Sequence, residues 1–218
     1  MLSLLMTEKR SSSFLSLSLL LLVGIFYLNF ISRIALAPLL PIVEMDLGLG
    51  HGEAGSLFFY VAFGYATGLL TSGYITARIG HRRMIVLSAG MVGLAMIALS
   101  LSPSLRAIHA GLFLVGIFAG FYLPSGISAL TELFPKELWG RVMAIHELAP
   151  NVAFITAPLL AEGLLTFFSW RSTLSCIGAS SILIGVLFLV LGRGGSEKGA
   201  PPSSHSMGAV IARPQFWT

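Results

Sequence analysis

Charge is what this sequence has least of. Of its 218 residues only 10% are Asp, Glu, Lys or Arg, while 56% are hydrophobic and the mean hydropathy is +0.90. A soluble domain of average composition carries about 25% charged residues. A chain so poor in charge belongs in a solvent that does not hydrate charge, which is lipid. Cysteine is almost absent too. Cys176 stands alone, so an internal disulfide is excluded, and its apolar surroundings read as those of a buried, inert thiol. There is no phosphate-binding loop, no dinucleotide glycine fingerprint after a strand and no cluster of His and Cys. Nucleotide-dependent enzymes, cofactors and metal sites are therefore not expected. The net charge of +4 is dispersed over short loops and forms no single basic face, which argues against a nucleic-acid partner.

What the sequence does have is six long apolar runs: Phe14–Val43, then about Ala54–Ala77, Met84–Leu101, Arg106–Leu133, Val142–Phe167 and Thr173–Leu191. Crossing ~30 Å of hydrocarbon takes ~20 helical residues, and the longer runs can tilt. Lys9-Arg10, the first run and Ala35-Leu36-Ala37 together resemble a signal peptide. The run is longer than a signal core of about 7–15 residues, and Pro38 would follow the cut, so an uncleaved first span is expected. The reading is an all-α membrane protein of six transmembrane helices. Residues 1–13 form a cytoplasmic lead-in, 14–191 the bundle, and 192–218 a flexible Gly-, Pro- and Ser-rich linker. That linker ends, at Ala212–Thr218, on what reads as the start of a seventh helix.

Six crossings put both termini on one side. Lys9, Arg10, Arg78, Arg82, Arg83, Lys136, Arg141, Arg193, Lys198 and Arg213 share that side, and Arg106 and Arg171 lie opposite. The positive-inside rule then makes both termini cytoplasmic, in a multi-pass protein of the inner or plasma membrane. Trp139 and Trp170 fall at helix ends, as interfacial aromatics do. Small residues at four-residue spacing, Gly64, Gly68 and Ser72 on the second run and Gly116 and Gly120 on the fourth, mark helix contact faces. Pro124, Pro150 and Pro158 are expected to kink the fourth and fifth helices.

Arg33 is the sharpest single signal. It lies 11 residues before Glu44, hence roughly 16 Å from the end of its helix. A charge at that depth costs about 2.5–3.5 kcal/mol on insertion scales, and arginine does not shed its proton. It therefore faces the bundle interior or a water-filled cavity. One reading is a fork that holds a substrate carboxylate or phosphate; the other is a structural partner of Glu147 or of backbone carbonyls. Asn29 and Phe26 fall on the same stripe. On the fifth run Glu147, Asn151, Phe154 and Pro158 share a face. Glu147 is a candidate for proton coupling, with a fixed ion pair or a hydrated interfacial position as the alternative. His146 reads as interfacial. Tyr60 and Tyr65 on the second run and Tyr122 on the fourth offer hydroxyls to a substrate, or serve as plain core or lipid-facing aromatics.

Between the second and third runs stands Gly73-Tyr74-Ile75-Thr76-Ala77-Arg78-Ile79-Gly80-His81-Arg82-Arg83. This resembles the basic loop of major facilitator superfamily transporters, Gly-x-Leu-x-Asp-Arg-x-Gly-Arg-Arg/Lys, matching at Gly73, Arg78, Gly80, Arg82 and Arg83. Ala77 replaces the family Asp that latches the outward-facing state. The Leu133–Ala144 loop, Trp170-Arg171 and the pairing of Arg33 with Pro38 are also similar to that family, the last to its organic-anion and sugar-phosphate permeases. Of the drug antiporters' helix-5 pattern only Pro150 survives. The resemblance implies the N-terminal six-helix bundle of 3+3 inverted repeats. It further implies secondary active, alternating-access transport of a small solute, an organic anion, coupled to a proton or ion gradient. Arg33, Asn29, Tyr65, Tyr122 and Asn151 would bind substrate, Glu147 would couple the proton, and Gly73, Arg78, Gly80, Arg82 and Arg83 would gate. The family has two such halves, so the partners implied are the lipid bilayer, an anionic small molecule and a C-terminal half or a second copy. The alternatives are a fragment that does not transport, and an intramembrane serine protease built on Ser125, which lacks the required glycine at Leu123 and a histidine on the sixth helix.

Overall fold

A computed structural model describes residues 2–199, with side chains for 15–199, and shows eight α-helices and no strand among the described residues. α1 (Leu2–Ile34) and α2 (Leu36–Leu47) make the first span and α3 (His51–Ile79) the second. α4 (His81–Ser100) is the third, and α5 (Leu105–Gly120) with α6 (Tyr122–Leu133) the fourth. α7 (Trp139–Leu165) and α8 (Trp170–Leu191) are the fifth and sixth. Six stretches are long and apolar enough to cross a membrane, as expected. The start of a seventh helix at Ala212–Thr218 lies outside the described residues.

Proline decides where the spans break. Pro38 has no N–H for the Ile34 carbonyl and its ring crowds that carbonyl, so the first span is interrupted at Ala35. Pro124 does the same to Gly120, and the fourth span is interrupted at Phe121. Both joints keep helical angles, φ −56°, ψ −32° at Ala35 and φ −69°, ψ −23° at Phe121, so the chain continues across them. Carbonyls beside the second joint find donors on other spans: Ser88 Oγ donates to Phe118 O (2.6 Å) and Asn29 Nδ2 to Ala119 O (3.0 Å). In α7, Pro150 and Pro158 sit inside one uninterrupted helix. Its buried face is rich in alanine (Ala149, Ala153, Ala157, Ala161), which lets it lie close against α1.

The spans pack in an arc. α3 lies on α5, α5 on α4, α4 on α8, α8 on α1 and α1 on α7. α3 and α7 stand at its two ends without substantial contact with each other, and are the least buried spans. The arc thus has an open mouth between the second and fifth spans, backed by the first.

Two contacts hold the arc at backbone distance. A Cβ on Gly64 or Gly68 would collide with the Phe113 or Ile117 carbonyl, and one on Gly116 would collide with the Val61 carbonyl. Gly93 and Gly178 meet in the same reciprocal way between α4 and α8. The α4–α8 pair is also tied at both ends. Arg82, at the start of α4, donates to Gly192 O (2.7 Å), Leu189 O (3.0 Å) and Phe188 O (3.4 Å) at the end of α8. Arg171, at the start of α8, donates to Ser102 O (2.7 Å) and Ser100 O (3.2 Å) at the end of α4, and reaches Asp46 at 3.5 Å. Each guanidinium supplies donors to carbonyls that a helix end leaves without partners. The exchange is reciprocal, the start of each helix capping the end of the other.

Gly68→Leu should lower the thermal midpoint of the detergent-purified protein, by an overpacking cost of about 1–3 kcal/mol or more. Gly90→Ala should leave the midpoint unchanged, because nothing lies within 4 Å of its Cβ position. Equal midpoints for the two variants would refute the close-contact reading of α3 on α5.

Candidate functional site

Arg33 occupies the last turn of α1, just before the Ala35 joint, where the helix dipole favours a cation. Its guanidinium carbon lies 4.0 Å from the Tyr65 ring centroid and 4.6 Å from that of Phe30. Such contacts attract a cation by about 0.5–2 kcal/mol. No carboxylate lies within ion-pair distance among the described residues, and the buried Nε has no hydrogen-bond partner. The structural alternative, a pair with Glu147, is not what forms: Glu147 Oε1 lies 3.3 Å from His146 Nδ1.

Phe30 extends this site across the mouth. Its ring meets Phe154 of α7 edge-on at 4.8 Å, so Tyr65, Arg33, Phe30 and Phe154 form a chain from α3 over α1 to α7. Asn151 and Glu147 lie one and two turns from Phe154 on the same, exposed side of α7. Asn151 Nδ2 donates to the Glu147 carbonyl of its own helix (2.8 Å).

Two residues expected to meet substrate are placed elsewhere. Asn29 is buried, with its amide nitrogen on Ala119 O, tying the first span to the fourth. Tyr122 is fully buried, and its hydroxyl donates to Leu22 O (2.7 Å) and lies 3.1 Å from His146 Nε2. His146, expected at the interface, is itself fully buried and stacks on Phe26 at 4.3 Å, nearly parallel. The sequence held the signal for this, because His146 shares the register of Val142, Ala149 and Ala153 that faces the bundle.

Nδ1 of His146 lies 3.3 Å from Glu147 Oε1, close enough for the two groups to share a proton.

At the opposite end of α3, Gly80 turns the chain at φ 83°, ψ 160°, a conformation that suits glycine. Gly73 and Ala77 are half-buried, Arg78 and Arg83 are exposed, and Arg82 caps α8. The segment 192–199, expected as a free linker without an apolar face, is held through its backbone. Arg82 N donates to Gly195 O (2.7 Å), Arg193 N to Ser18 Oγ (3.0 Å) and Ser196 N to Glu132 (2.9 Å). Gly194 and Gly195 adopt φ 90° and 72°, which opens the backbone to these contacts. Ser125, the nucleophile of the protease alternative, is fully buried beside His81 Nδ1 (3.3 Å). No group of three or more potential metal ligands occurs among the described residues.

Residues 17–218 match the family described as the Major Facilitator Superfamily. The 4-hydroxybenzoate transporter PcaK of Pseudomonas aeruginosa is 23% identical over 165 residues, 76% of this chain and 37% of that protein. A Na(+), Li(+), K(+)/H(+) antiporter of Planococcus maritimus is 30% identical over 172 residues, 76% of this chain and 40% of that one. A bacterial homolog of the human lysosomal transporter Spinster, solved inward-facing and unoccupied, superposes with a TM-score of 0.75 at 18% identity. That match covers 94% of this chain and 50% of the solved one. The chain thus spans about half the length of the proteins it matches or less.

Proposed function

The chain belongs to the major facilitator superfamily, and from that premise we propose that it is a six-span transporter unit whose Arg33 receives a small aromatic carboxylate, with the proton as coupling ion. The observation that carries this reading is the guanidinium at the open mouth, set between two aromatic rings, with a buried N–H left unpaired. A buried charged donor without a partner costs at least 1–3 kcal/mol. A bidentate carboxylate would satisfy it, and an aromatic acid would lay its ring along Phe30 or Tyr65. The likeness to a 4-hydroxybenzoate transporter supports the same chemistry. The likeness to a cation/proton antiporter does not carry over to the solute, since an unpaired guanidinium repels cations. The mouth between α3 and α7 then takes a second six-span unit, which closes the site and supplies the body against which this one rocks. Both termini lie in the cytosol by the positive-inside rule.

The proton enters through His146 and Glu147. Phe26, which stacks on His146, precedes Arg33 by seven residues on α1, roughly 10 Å. Without its shared proton the pair is an anion at about that distance from the bound carboxylate. At an effective dielectric constant of about 20 this repulsion is about 1–2 kcal/mol, and loading the proton removes it. The anion and the proton therefore favour each other's binding.

With 4-hydroxybenzoate as the probe, Arg33→Ala should abolish binding to the purified protein and Arg33→Lys should weaken it about tenfold or more, since an ammonium lacks the planar fork. Unimpaired binding by Arg33→Lys would overturn the site. Binding should also weaken as pH rises and the pair gives up its proton. Glu147→Gln, a neutral mimic of the loaded pair, should retain the low-pH affinity throughout. An unchanged pH slope in Glu147→Gln would remove the pair from the coupling while leaving the Arg33 site standing.

A further inference from the structure

A second recess lies on the other side of α3. It measures about 420 Å³ and is lined by Tyr60, Phe63, Arg106, His109, Ala110 and Phe113. At 100° per residue, Phe63 lies about 200° around α3 from Tyr65, so the groove faces away from the mouth that holds Arg33. We propose that this groove between α3 and α5 binds an anionic phospholipid of the leaflet opposite the chain termini.

Four observations support that occupant. The side of the membrane follows from the chain: Ser18 of α1 contacts Arg193 just after α8, while Arg106 opens α5 at the other face, next to the end of α4. Arg106 is exposed and in no ion pair among the described residues. It sits in the first turn of α5, where free backbone N–H groups add positive potential, and no acidic side chain lines the groove. His109, one turn further along α5, is fixed in place by Ser56 Oγ at 2.7 Å and by stacking on Tyr60 at 4.2 Å. Beyond these polar groups the floor is apolar: Phe63 and Phe113 stack at 5.7 Å. A cationic rim at headgroup level above an aromatic floor suits an amphiphile, with its phosphate on Arg106 and its glycerol and upper acyl chain on the rings. A soluble anion would leave that floor unused. A zwitterionic headgroup would bring its own cation toward Arg106. The volume lies in the usual range of small-ligand sites, about 300–1,000 Å³.

Native mass spectrometry of the protein released from nanodiscs holding equal phosphatidylglycerol and phosphatidylethanolamine tests this. The unaltered protein should retain phosphatidylglycerol preferentially. Arg106→Ala, a surface change checked for folding by its thermal midpoint, should lose that preference about tenfold. The proposal fails if the unaltered protein shows no preference, or if Arg106→Ala keeps it. Displacement of the lipid by soluble glycerol phosphate would show a site for free anions and would also overturn it.

Discussion

Hydrocarbon offers no hydrogen bonds, and every polar group inside the bundle answers to that constraint. The carbonyls next to the Pro124 break are met by Ser88 and Asn29. The Tyr122 hydroxyl is met by Leu22 and His146. The end of α8 is met by Arg82 and the end of α4 by Arg171. Because an unpaired polar group in lipid costs several kcal/mol, these bonds fix which helices are neighbours more sharply than apolar contact can, lipid being as greasy as leucine. Against that background one group stands out: Arg33 Nε is buried and unpaired. No other buried side-chain nitrogen or oxygen among the described residues lacks a partner, and the proposed anion would supply the one that Arg33 misses.

The same constraint links the proposed anion site to the proposed proton site. Phe26, Phe30 and Arg33 form one stripe of α1: the first two touch His146 and Phe154 on α7, and the third touches Tyr65 on α3. α1 is therefore the common wall of both sites. The joint at Ala35, imposed by Pro38, lies two residues beyond Arg33. A helix bearing the charge beside its own joint is a suitable element for motion between inward- and outward-facing states.

Much of the architecture was legible in the residue order because the physics involved is local. Hydropathy over about 20 residues marks a span, and small residues at four-residue spacing mark the α3–α5 contact. Gly80 and the basic residues around it mark a tight turn. Arg33 was legible for the same reason: a charge at mid-membrane depth is expensive wherever its helix packs. What was not legible depends on which helices become neighbours. Asn29 and Tyr122 looked like ligand groups until the fold supplied the Ala119 and Leu22 carbonyls. His146 looked interfacial by depth along its helix, but its azimuth points it into the core. The reciprocal capping by Arg82 and Arg171 joins residues 69 to 110 positions apart through carbonyls, which no residue pattern announces. The hold on residues 192–199 likewise runs through backbone groups, so its composition of glycine and charge reads as free linker.

On this reading Arg33 is the anion receptor of the open mouth. An experimental structure with 4-bromobenzoate, located by the anomalous signal of its bromine, tests this most directly. The carboxylate should lie on the Arg33 guanidinium, with the bromine-bearing ring against Phe30 or Tyr65 and Glu147 still beside His146. A guanidinium paired to Glu147, with the bromine peak elsewhere in the bundle, would contradict it.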